Sequence, residues 1–375
     1  MARKTKRKKS ENMQTTKNFK NIVINNTPLI DVRAEVEFNK GAFLNAVNIP
    51  IMDNLERHVI GIEYKQHGND SAVELGHELV SGQLRETRIC KWVDFINNNP
   101  TAIIYCFRGG QRSKIAQSWI EKRLGRQIER LEGGYKAFRH YLMENLQPQY
   151  APQHIMILGG YTGTGKTKLL AEFSATVDLE KLANHRGSSF GRHIDPQPSQ
   201  INFENNLAYA MIQNKYKNYK YMLLEDEGRH IGANFIPPDL AAHFANGKLI
   251  ILQEDIETRV NITHSEYVIE AQKEYCDALD PDIGLYEWAK YIMSSIDRLK
   301  KRLGGLATQN LINSFNAAFS KQLIFGQTDM HKDWIKMLLI DYYDPMYKYQ
   351  LKNTSKKIIF MGNTNEVRNF LKGEL

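Results

Sequence analysis

The chain has 375 residues, 42% of them hydrophobic, three cysteines and a formal net charge of +8. This composition supports packed cores in two or three domains and excludes a globally disordered chain, and no apolar run reaches the ~18 residues of a membrane span. Three cysteines are too few for a disulfide framework at this length, so a reducing, cytoplasmic setting is expected.

The charge is uneven. Arg3, Lys4, Lys6, Arg7, Lys8, Lys9, Lys17 and Lys20 face only Glu11 within residues 1–20, a net +7 that leaves the rest of the chain near +1. Residues 1–20 therefore read as a basic, disordered tail with no apolar signal core, able to touch a phosphate backbone through counterion release. Beyond the tail, Val23–Ile24, Leu29–Ile30 and 46–50 read as short strands. Residues 72–98, interrupted by Gly76 and Gly82, read as two helices. A β-branched run at 101–105 predicts a buried strand, 113–123 has helical spacing, and 128–131 closes this part as a strand before Gly133–Gly134. Two prolines in 147–152 mark a linker. A second strand–helix series follows, with strands at 154–158, 221–224, 248–252 and 357–361 and a mostly helical stretch over 264–350. Strands alternating with helices predict parallel α/β sheets. The expected division is a tail (1–20), a first α/β domain (21–146), a linker (147–153) and a second α/β domain with a helical extension (154–375).

Cys106-Phe-Arg-Gly-Gly-Gln-Arg112-Ser113 joins a buried strand to a helix. Backbone N–H groups of such a loop, the helix amino end and the charges of Arg108 and Arg112 form an anion site that favours a thiolate at a solvent-facing Cys106, with Gly109 and Gly110 letting the backbone curl. Cys90 and Cys276 read as packing residues. The segment resembles the loop of the rhodanese-like sulfurtransferases, as do Leu29-Ile-Asp-Val-Arg33, Gly41-Ala42, 45–50 and Leu131-Glu-Gly-Gly-Tyr-Lys-Ala-Phe138. The resemblance implies a sulfur-carrying cysteine and mainly structural roles for Asp31 and Arg33. The Cys-x5-Arg spacing also matches phosphatases on this fold, although Tyr105 stands where those commonly have histidine.

Gly160-Tyr-Thr-Gly163-Thr-Gly165-Lys166-Thr167 fits a P-loop, between an apolar strand and a helix. Its backbone should wrap a diphosphate, Lys166 should bridge the phosphates and Thr167 should reach Mg²⁺, with Glu225, Asp226 and Glu227 as Walker-B-like acids ending the next apolar strand. Asn184-His185-Arg186-Gly-Ser188-Ser189-Phe-Gly191 and Arg229, in 227–232, form a candidate substrate loop. Lys215–Tyr221 interleaves basic and aromatic residues, as an RNA-stacking face or a solvated one would.

The two halves together resemble the bacterial tRNA 2-selenouridine synthase family, from about Leu29 onward. The resemblance rests on 106–113, 160–167, 184–191, Gln197-Pro-Ser-Gln200 and 225–232. It implies a rhodanese-like parallel-sheet domain followed by a P-loop NTPase-like domain, acting on wobble 2-thiouridine in the tRNA anticodon region. The implied reaction is geranylation of sulfur from geranyl diphosphate, then selenation from selenophosphate, with a selenophosphate-supplying enzyme as a candidate partner. An ATP-dependent sulfurtransferase, or a phosphatase fused to a kinase-like domain, are the competing readings.

Overall fold

The computed structural model describes residues 13–152 and 154–374. The basic cluster Arg3–Lys9 lies outside them. The chain divides into one compact unit reaching to Asn145 together with Glu204–Gln213, and a second formed by Leu146–Phe203 and Asn214–Leu375.

The first unit runs β1 (Thr15–Thr16), α1 (Phe19–Ile24), β2 (Leu29–Asp31), α2 (Glu35–Lys40), β3 (Ala46–Asn48), α3 (Asn54–His67), α4 (Asn69–Leu79), α5 (Gly82–Asn98), β4 (Ile103–Tyr105), α6 (Gln111–Leu124), β5 (Arg130–Leu131) and α7 (Gly134–Glu144). Its sheet is parallel, in the order β1-β5-β4-β2-β3. Ile30, Ile104, Trp92, Ile96, Ala116 and Ile120 fill a core beneath it, and the Trp92 indole N–H donates to the Ile49 carbonyl at 2.8 Å. Asp31 and Arg33 form a fully buried ion pair (2.6 Å), and Arg33 also donates to the Gly41 carbonyl and lies 4.0 Å from the Tyr135 ring centre.

Two expectations change here. The tail does not run to residue 20, because Thr15–Thr16 pairs with Arg130–Leu131 and α1 begins at Phe19. Val23–Ile24 is helical rather than extended: Asn18 caps α1 by accepting from the Asn21 N–H, and Ile22 and Val23 are buried on one side of it. Residues 72–98 hold two helices as expected, α4 and α5, with Gly76 inside α4 and the break at Val80–Ser81; α3 ahead of them was not expected, because its exposed apolar residues give no clear periodicity.

The second unit begins with β6 (Ile155–Gly160), α8 (Lys166–Leu170), α9 (Leu179–Ala183), the two ends of α10 (Gln200–Lys217, whose Glu204–Gln213 belongs to the first unit), β7 (Met222–Glu225), the hairpin β8 (His230–Ile231) and β9 (Asn234–Phe235), α11 (Pro238–Ala245), β10 (Lys248–Leu252) and α12 (Ile256–His264). A π-helical turn (Ser265–Glu270) leads into α13 (Ala271–Ala278), α14 (Pro281–Arg298), α15 (Lys300–Leu303), α16 (Gly305–Phe325) and α17 (His331–Leu338). A second π-helical turn (Leu339–Tyr343), α18 (Asp344–Lys352), β11 (Ile358–Gly362) and α19 (Thr364–Glu374) end it. The sheet order is β11-β10-β6-β7, all parallel, with a core of Met156, Leu158, Leu223, Ile250, Val367 and Leu371. Trp288, Phe315 and Trp334 centre a separate core in the helical extension. The short hairpin was not foreseen, since two-residue strands carry almost no pattern.

Candidate functional site

In the first unit, β4 delivers Cys106 to the carboxyl edge of a parallel sheet, where open α/β folds place ligands. Gly110 stands at the N-cap of the 14-residue α6 without a side-chain hydrogen bond, so the positive helix end faces the loop. Cys106 itself is buried, 3% exposed, rather than solvent-facing, because it closes β4 and packs with Ile104 and Ala116. Its Sγ lies 3.1 Å from the Ser113 hydroxyl oxygen, which also donates to the Gly110 carbonyl at 3.2 Å.

The two arginines of the loop part company. Arg108 is exposed beside the Phe107 ring, whereas Arg112 is ion-paired to Glu37 (2.6 Å), which Arg57 also contacts at 2.9 Å. Burial works to raise the Glu37 carboxyl, but the hydrogen bond and charge of Arg112, with Arg57, hold it below the ordinary carboxylate range. Sequence reading missed Arg130. This buried residue donates to the Gly109 carbonyl and the Gln117 side chain, and it interacts electrostatically with Cys106. Burial lowers its pKa, and the neighbouring Cys106 and Glu132 side chains oppose that shift. Nothing near the motif signals it, because β5 brings it in from 18 residues beyond Arg112.

The loop's glycines are unequal. Gly109 has φ +64°, and an added Cβ would lie 2.9 Å from the Gly133 nitrogen. Gly134 has φ +59° and an added Cβ would meet the Cys106 carbonyl at 2.2 Å, while Gly110 has open space and a negative φ of −89°. Gly134→Ala should therefore cost about 3 kcal/mol of stability, from left-handed strain and overlap together, and Gly110→Ala less than about 1 kcal/mol. Chemical denaturation of both variants measures this, and equal midpoints would contradict it.

In the second unit β6 leads into the P-loop. Lys166 donates to the Gly160 and Tyr161 carbonyls (3.0 and 3.3 Å), and Gly163 and Gly165 adopt φ of +81° and +79°. Arg259, fixed by Asp344 at 2.6 Å, donates to the Thr162 carbonyl at 3.0 Å and so braces the loop from α12.

The acids resolve. Glu180, Glu225 and Glu227 bring carboxylate oxygens within 4.8 Å of one another. The Thr167 hydroxyl lies 2.8 Å from Glu225 and 3.2 Å from Glu180. Asp226 instead pairs with Lys356 and leaves the cluster. Glu225 is 4% exposed and its Oε2 has no partner among the described residues, an orphaned acceptor of the kind a cation satisfies. Burial, then mutual repulsion, raises all three carboxyl pKa values, and Lys166 pulls each back. Glu180 was not predicted. Its one signal is an acid in α9, a helix capped by Asp178 just ahead of the Asn184 loop.

A cavity of about 550 Å³ joins these groups, with Lys166, Thr167, Glu180, Glu227, His185 and Arg186 among its walls. Ser188 also lines it, and its hydroxyl sits 2.8 Å from that of Tyr267, from the first π-helical turn. The His185 Nδ1 is buried without a partner among the described residues, and burial, then His193 and Arg186, lower its pKa. Arg186 is ion-paired to Glu274 at 2.9 Å. Two predicted residues fall elsewhere. The Ser189 carbonyl accepts from Arg298, and exposed Arg229 lies against the Phe235 ring, neither lining the cavity. Gln197 anchors the region by donating to the Ala183 and Ile231 carbonyls and accepting from the Ala233 N–H. In the Lys215–Tyr221 stretch, Lys215 binds the Tyr150 carbonyl, Tyr219 the Ser174 hydroxyl and Lys220 Glu374, so much of it is engaged within its own unit. Cys90 is exposed rather than packed, because it faces outward from α5 beside Arg123.

A cysteine loop on one parallel sheet and a carboxylate-lined P-loop on another define a rhodanese-like protein fused to a P-loop unit. Residues 14–141 match the rhodanese-like domain, and 153–375 match the tRNA 2-selenouridine synthase AAA domain. A tRNA 2-selenouridine synthase of Sulfurovum sp. (strain NBC37-1) is 47% identical over 362 residues, spanning 96% of this chain and 99% of that one. Similar proteins of the same name occur in Hydrogenovibrio crunogenus (46% identical; 94% and 97% covered) and Shewanella denitrificans (44% identical; 92% and 94% covered). The chain belongs to the tRNA 2-selenouridine synthase family.

Proposed function

We propose that this chain is a transferase that converts wobble 2-thiouridine of tRNA to 2-selenouridine in two steps, geranylation and then selenation. The observation that carries the proposal is the pairing, in one chain of this family, of a diphosphate-type P-loop cavity with a separate cysteine-bearing anion loop. In the first step the thiouridine sulfur attacks C1 of geranyl diphosphate. The C1–O bond breaks, its electron pair leaves on diphosphate, and the N3 proton is lost. Lys166 and the P-loop N–H groups bind the diphosphate and stabilise the charge it gains. Alkylation turns sulfur into a good leaving group. In the second step selenium of selenophosphate bonds to C2, the C2–S bond breaks with its electrons on geranylthiolate, and water cleaves P–Se to release phosphate. The Cys106 loop, with the α6 amino end, Arg108 and Arg130, is the donor site.

Thr167, Glu180, Glu225 and Glu227 fit a Mg²⁺ ion, which would neutralise the diphosphate. A thermal-shift measurement tests this. The three carboxyls titrate higher in the folded than in the unfolded chain, so without cation stability is fullest below the unfolded values near 4.5 and falls as pH rises through the raised ones. Besides these acids, Lys166 and Asp178 face the cluster. A cation competes with those protons, so Mg²⁺ should raise the melting temperature more at about pH 9 than at about pH 6. Glu225→Gln should remove the difference. Equal Mg²⁺ shifts at both pH values would contradict the site.

A Cys-x5-Arg phosphatase fits less well, because Arg112, the side chain it would turn on phosphate, is held by Glu37. Among the described residues no helix is long and apolar enough to cross a membrane. Mass spectrometry of tRNA from a strain lacking this chain tests the function: loss of the selenium-containing wobble nucleoside is expected, and unchanged tRNA would overturn it.

A further inference from the structure

The first unit contains a second cavity of about 550 Å³ that the proposed reaction has not yet used. Met52, Ile60, Ala72, Val80, Ile115 and Trp119 are among its walls, contributed by the segment before α3 and by α3, α4 and α6. Glu37, Arg57, Lys65 and Arg112 are charged residues of its lining, and the Glu37 carboxylate is shared by Arg57 and Arg112. α3 covers the cavity in an unusual way. None of its 14 residues is buried; Ile60, which packs on the core, and the exposed Ile62 and Tyr64 line the cavity. A volume in the range of small-molecule sites with an apolar wall suits a hydrocarbon ligand.

α6 ties the cavity to the chemistry. Its amino end closes the Cys106 loop at Gly110, and its next residues, Gln111, Arg112, Ile115 and Trp119, line the cavity. A ligand lying along this wall would have one end at the first turn of α6, which directly follows the Cys106 loop, and its apolar length between α3, α4 and α6. An apolar chain joined to the atom that reacts at the cysteine loop satisfies both conditions, and free hydrocarbon or an apolar peptide satisfies only one. Resting on the two-step reading above, we infer that this cavity binds the ten-carbon chain of S-geranylated 2-thiouridine during selenation, holding the C2–S bond at the Cys106 loop. The cavity is then a specificity site: it selects the alkylated intermediate over unmodified 2-thiouridine.

The test uses the full-length protein, selenophosphate and anticodon stem-loop RNA carrying either S-geranyl- or S-methyl-2-thiouridine. Because a single methylene in an apolar pocket is worth about 10–200-fold, the wild type should prefer the geranyl RNA by at least ~100-fold in kcat/KM. Ala72→Trp, which fills the cavity, should cut that preference at least ~10-fold, mainly through KM for the geranyl RNA. Because Ala72 is buried and a large side chain there strains the fold, the wild type is also photolysed with RNA whose S-prenyl chain carries a diazirine. Adducts within 51–80 or 111–119 support the site, and adducts confined to 154–375 overturn it. Wild-type turnover of geranyl RNA with no preference over methyl also overturns the site while leaving the two-step reading intact. No turnover of either RNA removes the two-step reading itself, and this inference with it.

Discussion

Lys166→Ala should stop geranylation and leave 2-thiouridine unmodified. Lys166 sits at the start of α8, braced against the Gly160 and Tyr161 carbonyls, and faces the carboxylates Glu180, Glu225 and Glu227. As diphosphate departs it gains charge, so a cation at this place contributes more in the transition state than in the ground state. Loss of such a contact lowers the rate by about 100–1,000-fold. Removing Lys166 also removes the charge that lowers the three carboxyl pKa values, which pushes them further up.

Cys106→Ser should have the complementary effect, with geranylation continuing and S-geranyl-2-thiouridine accumulating. The substitution exchanges one buried atom for a smaller one, and a hydroxyl can keep the contact with Ser113. The fold should survive, while selenation should fall by roughly 100–1,000-fold, the scale on which loss of one group that positions the reacting donor acts. A serine variant that melts like the wild type and selenates normally would remove Cys106 from the mechanism.

What the sequence made legible follows a physical division. Local motifs were readable because the chemistry is written in consecutive residues: Cys106 to Ser113 requires a strand before it and a helix after it, and Gly160 to Thr167 requires the same. The long parallel strands, such as β6 and β10, were readable from uninterrupted apolar runs buried on both faces. Residues that reach a site from distant elements were not. Arg130 arrives by β5 pairing with β4, Arg259 by α12, and Tyr267 on a π-helical turn whose register no α-helical periodicity describes. Pairing choices were equally hidden. The run Glu225-Asp226-Glu227 offers three carboxylates, and only packing against Lys356 removes Asp226 while Glu180 takes its place. The same holds for Arg112, a loop cation by spacing and an ion-pair partner of Glu37 by fold. The cavity under α3 was invisible for a related reason: a helix that buries none of its residues leaves a weak amphipathic signature.

The most direct test of the two-site account is a bypass. Wild type, Lys166→Ala and Cys106→Ser are each incubated with Mg²⁺, selenophosphate and either 2-thiouridine tRNA plus geranyl diphosphate or tRNA already geranylated, and the nucleosides are quantified by mass spectrometry. The account predicts that Lys166→Ala forms 2-selenouridine only from the geranylated tRNA, and that Cys106→Ser forms it from neither while geranylating the first substrate. Failure of the geranylated tRNA to rescue a folded Lys166→Ala protein, or loss of geranylation in Cys106→Ser, would contradict it.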